Sequence, residues 1–306
     1  MQRILCLTAS LFVPGLVCAQ DTASLSYFYQ LDEDDGTSHS LAADYQLSPE
    51  LWLSIGIDRT QLGEANGEIE TEGYHAGLSY SVTPEWDVAY YYQHWGDNNF
   101  IKIGTHRFEL TTYRDNWAFS LSPEYQAIDI TFNEVDWARI WRRLGVSLLN
   151  AFQIQQRINA LIDEIKSYDE FNAYGLSLNA TYYGMESAYI ISAGFGKYDY
   201  SEDVSVFERV TPVAHLMLSP STFMAIDGFV DWHAQLEYGR FYEQSSYAIL
   251  LAYQESAINQ AGYSSVVGNA AFEITKGLAL MLELGASDSE TDSAFMYGGL
   301  GLSVSF

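Results

Sequence analysis

The feature of this chain that most restricts its fold is an alternation of period two, which recurs in short segments from residue 22 to residue 306. Within each segment, apolar residues alternate with small, polar or acidic ones. The clearest segments are 51–58, 74–82, 86–93, 174–182, 278–284 and 299–306. Successive side chains of a β-strand point to opposite faces, so each segment has one apolar face and one hydrophilic face. The alternation therefore predicts an all-β protein.

Three further details distinguish a membrane barrel from a soluble β-sandwich, which would show the same alternation. The hydrophilic face is rich in glycine, serine, alanine and acidic residues, which suits a wet interior. Aromatic residues such as Tyr45, Tyr80, Trp86 and Trp117 lie near segment ends, as in the interfacial belts of membrane barrels. The segments are also about ten residues long, the length that a tilted strand needs to cross hydrocarbon. These details favour a closed antiparallel transmembrane β-barrel.

The composition excludes several other classes of protein. The chain has 40 acidic and 14 basic residues, a formal net charge of −26, yet 48% of it is hydrophobic and 15% aromatic. Acidic disordered chains are poor in aromatic and apolar residues, and proteins that bind nucleic acid need a basic surface. Beyond residue 20, no apolar run approaches the roughly 18 residues of a membrane-spanning helix. A barrel remains the interpretation that fits all of these values.

The first nineteen residues have the layout of a secretory signal peptide. Arg3 supplies a positive charge, residues 4–17 are mostly apolar, and small residues precede the expected cleavage point. We therefore expect a signal peptide at 1–19 and a barrel domain at 20–306. Because Cys6 and Cys18 both lie in the leader, we expect no disulfide, thiolate zinc site or cysteine nucleophile in the mature protein. No cofactor and no metal are expected either.

Recurrent turn motifs set the predicted number of strands. Several contain proline, which fixes a tight turn and cannot continue a central strand. The predicted tight turns are centred on Pro49, Pro84, Pro123, 183–186, Pro220 and 275–277. Six tight turns predict 14 strands; an additional turn near 243–245 would give 16, and 12 is the lower limit of the range.

The alternate connections are longer and hydrophilic, and many carry acidic residues. These acidic loop residues include 32–35, Glu64, Glu68, Asp288, Glu290 and Asp292. Short turns on one side and longer polar loops on the other are typical of bacterial outer-membrane barrels. We expect the acidic loops to form a solvated surface, with binding of divalent cations near lipopolysaccharide phosphates as the alternative.

Residues 137–165 depart from the alternation. Apolar residues recur there at steps of three and four, which predicts an amphipathic helix; part of the stretch also alternates in period two, so a strand pair stays open. The segment carries a basic cluster formed by Arg139, Arg142 and Arg143. Folded into the lumen, these guanidinium groups would form a charged constriction for an anionic or zwitterionic solute. Alternatively, they bind lipopolysaccharide phosphate or pair with neighbouring acids.

The C-terminal residues resemble a known assembly signal. Gly301, Val304 and Phe306 belong to an alternating segment that ends on an aromatic residue, as in the β-signal read by the outer-membrane assembly machinery. Gly299 stands where that signal usually has a polar residue. The whole mature chain resembles Gram-negative outer-membrane β-barrel proteins, and its size is similar to that of porins. The resemblance implies an outer-membrane location and contacts with lipid, lipopolysaccharide and the assembly machinery.

If the apolar face is outward, several acidic residues face the lumen. The predicted pore-lining residues are Asp44, Asp58, Asp87, Asp129, Asp227 and Glu283. Carboxylates in a pore favour cations through the local field, unless they are paired with arginine or lysine in the lumen. We therefore predict a porin-like channel for passive diffusion of small hydrophilic solutes, with a preference for cations.

Two other functions are compatible with the sequence. In the first, segment 137–165 seals the lumen, and the barrel serves structure or surface interaction through its acidic loops. In the second, the barrel is an outer-membrane hydrolase, whose best local candidate is the group Asp227, Asp231 and His233 on one strand face; His94 is the other notable histidine. No motif of a known outer-membrane enzyme is recognised, so we expect no enzymatic activity.

Overall fold

The computed structural model describes most of the predicted barrel. The described residues are 22–32, 36–62, 69–96, 101–130, 170–184, 188–205, 229–289 and 295–306. They form fourteen antiparallel strands that close into a barrel, so the prediction of an all-β closed barrel with 14 strands is confirmed. No helix in the described part of the chain is long and apolar enough to cross a membrane.

Several predicted features lie outside the described residues. They are the leader at 1–19, the segment 137–165 with Arg139, Arg142 and Arg143, Pro220, Asp227, and the loop acids 33–35, Glu64, Glu68, Glu290 and Asp292.

The strands follow one another around the barrel in chain order. Their bounds are β1 Ala23–Asp32, β2 Thr37–Ser48, β3 Leu51–Leu62, β4 Ile69–Thr83, β5 Trp86–Gly96, β6 Ile101–Arg114, β7 Trp117–Ile130, β8 Glu170–Gly184, β9 Tyr189–Tyr200, β10 Val230–Phe241, β11 Ser245–Ser256, β12 Gly262–Thr275, β13 Leu278–Ser289 and β14 Phe295–Ser305. The barrel closes because β1 pairs with β14, from Ser24–Ser305 to Asp32–Tyr297. Closure pairs every strand on both sides, as hydrocarbon requires, since an unpaired sheet edge cannot be solvated there.

Short turns join the strands at one end of the barrel. The turns predicted at Pro49 and Pro84 are confirmed, and so are the connections from β8 to β9 and from β12 to β13. Gly277, in the last of these, has a φ of 80°, a backbone conformation that favours glycine. The additional turn considered near 243–245 also exists and joins β10 to β11. With the turn between β6 and β7, the described short connections number six, and the strand number is fourteen.

The turn predicted at Pro123 is wrong. Pro123 lies inside β7 and pairs with Leu176 of β8, whereas the turn between β6 and β7 is formed by Asp115 and Asn116. Proline has no amide proton to donate to a sheet, and the ladder between β6 and β7 has a local gap beside it. The strand therefore continues through the proline at the loss of one short stretch of pairing.

An aromatic belt surrounds the turn end of the outer surface, as the sequence predicts. Tyr45, Tyr80, Trp86 and Trp117 are all exposed on the outside or at the strand ends. The Trp117 ring contacts that of Tyr182, with 5.1 Å between the ring centroids. Rings of this kind are stable at a lipid–water interface because they combine an apolar body with a polar edge.

A second belt, near the loop end, combines tyrosine with histidine. The hydroxyl oxygens of Tyr27 and Tyr90 lie 2.7 Å from Nδ1 of His39 and His106, respectively. His94 stacks on a tyrosine of the neighbouring strand, with 4.8 Å between ring centroids. Between the two belts, exposed side chains are mostly apolar, which gives the barrel a lipid-facing band. His94 is thus a belt residue on the outer surface.

The seam between the first and last strands is closed by side chains on the inner face. The ring of Phe28 lies over Gly299 and Gly301, where any side chain would overlap it. The Gln30 amide donates a hydrogen bond to Glu283 on β13, across Gly299 of the intervening strand. Glu283 is 3% exposed. Glycine at position 299, the departure from the assembly signal, therefore makes room for two side chains of β1.

At the loop end, the inner face changes from polar to apolar. Buried side chains of β6, β7 and β8 contact side chains from the connections that follow β9 and β11. This mouth cluster consists of Ile101, Ile128, Ile130, Phe171, Ala173, Val204, Phe229 and Ile258. The rings of Phe171 and Phe229 meet edge to face, with 5.5 Å between their centroids. The cluster fixes these connections against the wall formed by β6 to β8 and occupies part of the barrel mouth.

Candidate functional site in the barrel lumen

The barrel encloses a hydrophilic cavity of about 810 Å³. Many of its lining side chains are hydroxyls and amides. They include Ser26, Ser38, Ser40, Thr60, Thr105, Ser122, Gln126, Asn179, Gln235 and Gln254. A cavity of this volume falls in the range of small-molecule sites, and its polar wall suits a solute that keeps part of its hydration.

Bulky residues of the cavity wall lie against glycines on neighbouring strands. Tyr91 lies over Gly77 and Tyr198 over Gly175; in both pairs, a β-carbon on the glycine would overlap the ring. Each pair is also in direct cross-strand register. The glycines therefore let the rings lie flat on the wall instead of projecting across the lumen.

Four predicted pore-lining acids lie on the inner face. Asp44 and Asp87 accept hydrogen bonds of 3.1 and 2.8 Å, respectively, from hydroxyl groups of neighbouring strands. Asp58 lines the cavity directly, and Glu283 is the buried partner of Gln30 at the seam. The alternation of β2, β3, β5 and β13 thus puts these side chains on the inner face, while Asp227 lies outside the described residues.

Asp129 was predicted to line the pore, and that prediction is wrong. Its neighbours Ile128 and Ile130 point inward, into the mouth cluster, so Asp129 points outward at the loop end of β7, where it is exposed. A charge is tolerated at this position because it lies at the end of the strand, near water, and not at the centre of the lipid-facing band.

The structure does not assemble the proposed hydrolase group in its described part. A bulge between Val230 and Trp232 interrupts the alternation of β10. Asp231 lies at this bulge, and its Oδ1 is 4.0 Å from Nζ of Lys197, a residue on the outward face of β9. His233 instead lines the cavity. Asp231 and His233 therefore do not share a face, contrary to the prediction.

Further charged residues of the inner face were not singled out from the sequence. They are Glu109 and Glu124, which line the cavity, Glu237 on β10, and Arg107. Arg107 is the one lysine or arginine that faces inward from the described strands. The signal was present, because Phe108 and Leu110 mark the outward face of β6 and so assign Arg107 and Glu109 to the lumen.

Arg107 lies between an aromatic and an acidic residue. In the strand register it is opposite Tyr91 of β5 and Glu124 of β7. Its guanidinium carbon is 4.9 Å from the centroid of the Tyr91 ring, in the geometry of a cation–π contact. The contact holds the guanidinium flat on the cavity wall.

The two acids beside Arg107 are held by neutral groups. Glu109 accepts hydrogen bonds from the hydroxyls of Thr111 and Ser122, at 3.2 and 3.3 Å. Glu124 accepts one of 2.6 Å from the amide of Gln126. These donors fix the carboxylates in place without neutralising them.

The described residues contain no group of three or more histidine, cysteine, aspartate and glutamate side chains arranged to hold a metal ion.

A closed barrel with a lipid-facing band, two aromatic belts and a hydrophilic, charged lumen defines a porin-like outer-membrane β-barrel of the Gram-negative type. No protein-family model and no curated protein sequence matches the chain.

Comparison with solved structures gives matches at low identity. OccK11 (OpdR) of Pseudomonas aeruginosa is 10% identical, with a TM-score of 0.43 over 93% of this chain and 94% of that one. Omp33 of Acinetobacter baumannii is 7% identical, with a TM-score of 0.46 over 94% and 98%. The NanC porin is 8% identical, with a TM-score of 0.44 over 92% and 100%.

Proposed function

We propose that the protein is a channel through which small hydrophilic solutes diffuse across the outer membrane, and that it prefers cations. The observation that carries this proposal is the hydrophilic cavity inside the closed barrel, where inward-facing carboxylates outnumber the one inward-facing guanidinium of the described strands. A lumen lined with one sign of charge concentrates the opposite ions and repels like ones.

The width of the barrel supports the proposal. Barrels of about eight strands are filled by their own side chains, and those of 16 to 18 strands leave an aqueous channel. With fourteen strands, this barrel lies near the open end of that range. Many of its inner side chains are small, and the rings of Tyr91 and Tyr198 lie over glycines, which leaves room for solute.

Charge reversal on the two faces of the barrel tests the cation preference. In a planar bilayer under a salt gradient, the purified protein should conduct in discrete steps, with a reversal potential on the cation side. Asp58→Lys, inside the cavity, should move that potential toward anions because it replaces a lumen carboxylate with an ammonium. Asp129→Lys makes the same change in charge on the outer surface, so the reversal potential should stay near that of the wild type.

Two results would count against the proposal. Correctly folded protein that never conducts would contradict the channel itself. Equal shifts for Asp58→Lys and Asp129→Lys would mean that the potential reports the net charge of the protein and not the field in its lumen.

The mouth cluster favours a second candidate function. Because it occupies part of the barrel mouth, the barrel in this alternative is closed at its loop end and serves structure or surface interaction through its acidic connections. Conductance of the wild type distinguishes the two candidates.

We also propose contacts at the barrel's two ends and outer surface. Gly301, Val304 and Phe306, in and just after β14, would be recognised by the assembly machinery; Phe306 is 65% exposed and therefore accessible. Lipid and lipopolysaccharide would contact the outer surface, with divalent cations at the acidic loops.

A further inference from the structure

We infer that Arg107, Glu109 and Glu124 form a binding site for a small zwitterion that carries one ammonium and one carboxylate group. The inference rests on the proposed channel and specifies the class of solute that the channel retains. All three residues line the cavity and come from the adjacent strands β6 and β7.

Opposite charges lie next to one another at this site without forming an ion pair. Arg107 and Glu124 are direct cross-strand neighbours, yet none of the ion pairs found among the described residues includes Arg107. A partly buried arginine and glutamate normally offset the cost of desolvation by bonding to each other. Here each is fixed by other groups instead.

Both charges keep unused hydrogen-bonding capacity. Arginine has five donors, and the guanidinium of Arg107 is held by the Tyr91 ring; its buried Nε has no hydrogen-bond partner among the described residues. A carboxylate offers about four acceptor positions, of which Glu109 uses two and Glu124 one. A ligand therefore finds donors and acceptors that are already oriented, which lowers the entropy cost of binding.

The arrangement selects between classes of ligand. A simple anion attracted by Arg107 would meet the carboxylates of Glu109 and Glu124, and a simple cation would gain nothing from Arg107. A zwitterion satisfies both sides, with its carboxylate accepting two parallel hydrogen bonds from the guanidinium and its ammonium donating to Glu124 or Glu109.

Binding is tested with three probes of similar length. 4-Aminobutyrate carries both charged groups, butyrate only the carboxylate and butylammonium only the ammonium. Each is titrated by calorimetry into the folded full-length protein in detergent and added to the bilayer chamber while the current is recorded. We expect 4-aminobutyrate to bind more tightly than either control and to interrupt the current.

Substitutions then locate the site. Arg107→Gln and Glu124→Gln should each weaken 4-aminobutyrate binding by on the order of 10- to 100-fold, since each removes a charge-assisted hydrogen bond. Tyr91→Phe keeps the ring under the guanidinium and should retain binding. Arg240→Gln is the matched control, because Arg240 also lies over a tyrosine ring, 5.3 Å from the Tyr242 centroid, but on the outward face. It should bind like the wild type.

The results separate this inference from the proposed function. Butylammonium binding as tightly as 4-aminobutyrate, or unchanged affinity in folded Arg107→Gln, would overturn the zwitterion site and leave a cation-attracting channel. A silent bilayer together with Arg107-dependent calorimetric binding would overturn the channel and support the site. Resistance to unfolding in SDS at room temperature shows that each variant is folded.

Discussion

Replacing Gly301 by alanine is expected to destabilise the barrel at the seam where its first and last strands meet. A β-carbon at this position would stand 2.7 Å from the carbonyl oxygen of Tyr27 and 2.8 Å from Cε of Met281, and it would overlap the Phe28 ring. Backbone atoms of a paired strand cannot move aside cheaply. Overpacking typically costs about 1–3 kcal/mol, and here it acts on the contact that closes the barrel.

Gly298→Ala is the matched control in the same strand. Its β-carbon would lie 3.4 Å from Cδ2 of Leu284, an ordinary contact. Urea titration in detergent should therefore give a lower free energy of unfolding for Gly301→Ala and a nearly unchanged one for Gly298→Ala. Equal stability of the two variants would contradict the packing explanation.

The Gly301→Ala variant also separates the packing of the seam from recognition of the C-terminus by the assembly machinery. Gly301 is also part of the predicted assembly signal, so a defect in cells alone would be ambiguous. Refolding from urea into detergent micelles involves no assembly machinery, so a defect of Gly301→Ala that persists there comes from packing. Phe306→Ala should show the reverse behaviour, with nearly normal refolding in vitro and poor insertion in cells, because Phe306 is 65% exposed and contributes little to packing.

The alternation within a single strand is enough to predict which of its side chains face outward and which face the lumen. For Asp44, Asp58, Asp87 and Glu283, apolar neighbours at every second position identify the outward face, and the acids then follow as inward. The same rule assigns Arg107 and Glu109 to the lumen, since Phe108 and Leu110 flank them on the outward side.

The errors come from features that the alternation does not contain. Pro123 matches the turn motif of Pro49 and Pro84, but its strand continues, because one missing amide proton can be accommodated by a local gap in pairing. The bulge beside Asp231 changes the register only through the pairing of β10 with β11. Neither is visible without the neighbouring strand.

The mouth cluster also could not be derived from periodicity. On β7, Ile128 and Ile130 are apolar and point inward, so the contrast between faces that identifies the lumen disappears there. Their partners Val204, Phe229 and Ile258 come from connections distant in sequence. Only the closed barrel brings these groups together, and their burial indicates that the mouth is narrowed.

Replacing Phe229 by alanine is therefore expected to have the second large effect, an increase in conductance. Phe229 lies outside the strands, 2% exposed, against Phe171 and Tyr200. Removing a buried phenylalanine ring typically costs about 3–5 kcal/mol. Because Phe229 belongs to a connection and not to the strand ladder, this loss should weaken the attachment of the connection while the barrel stays folded and resistant to SDS.

Phe195→Ala is the matched control, because Phe195 is 47% exposed on the outer surface, where it stacks on Trp232. Limited proteolysis should cut the connection between β9 and β10 faster in Phe229→Ala than in Phe195→Ala, and only the former should conduct more than the wild type. A silent wild type with a conducting Phe229→Ala variant would favour the closed-barrel alternative, since the mouth cluster would then be the seal. Unchanged conductance with faster proteolysis would place the narrowest part of the pore below the mouth cluster, at the level of the charged cavity wall.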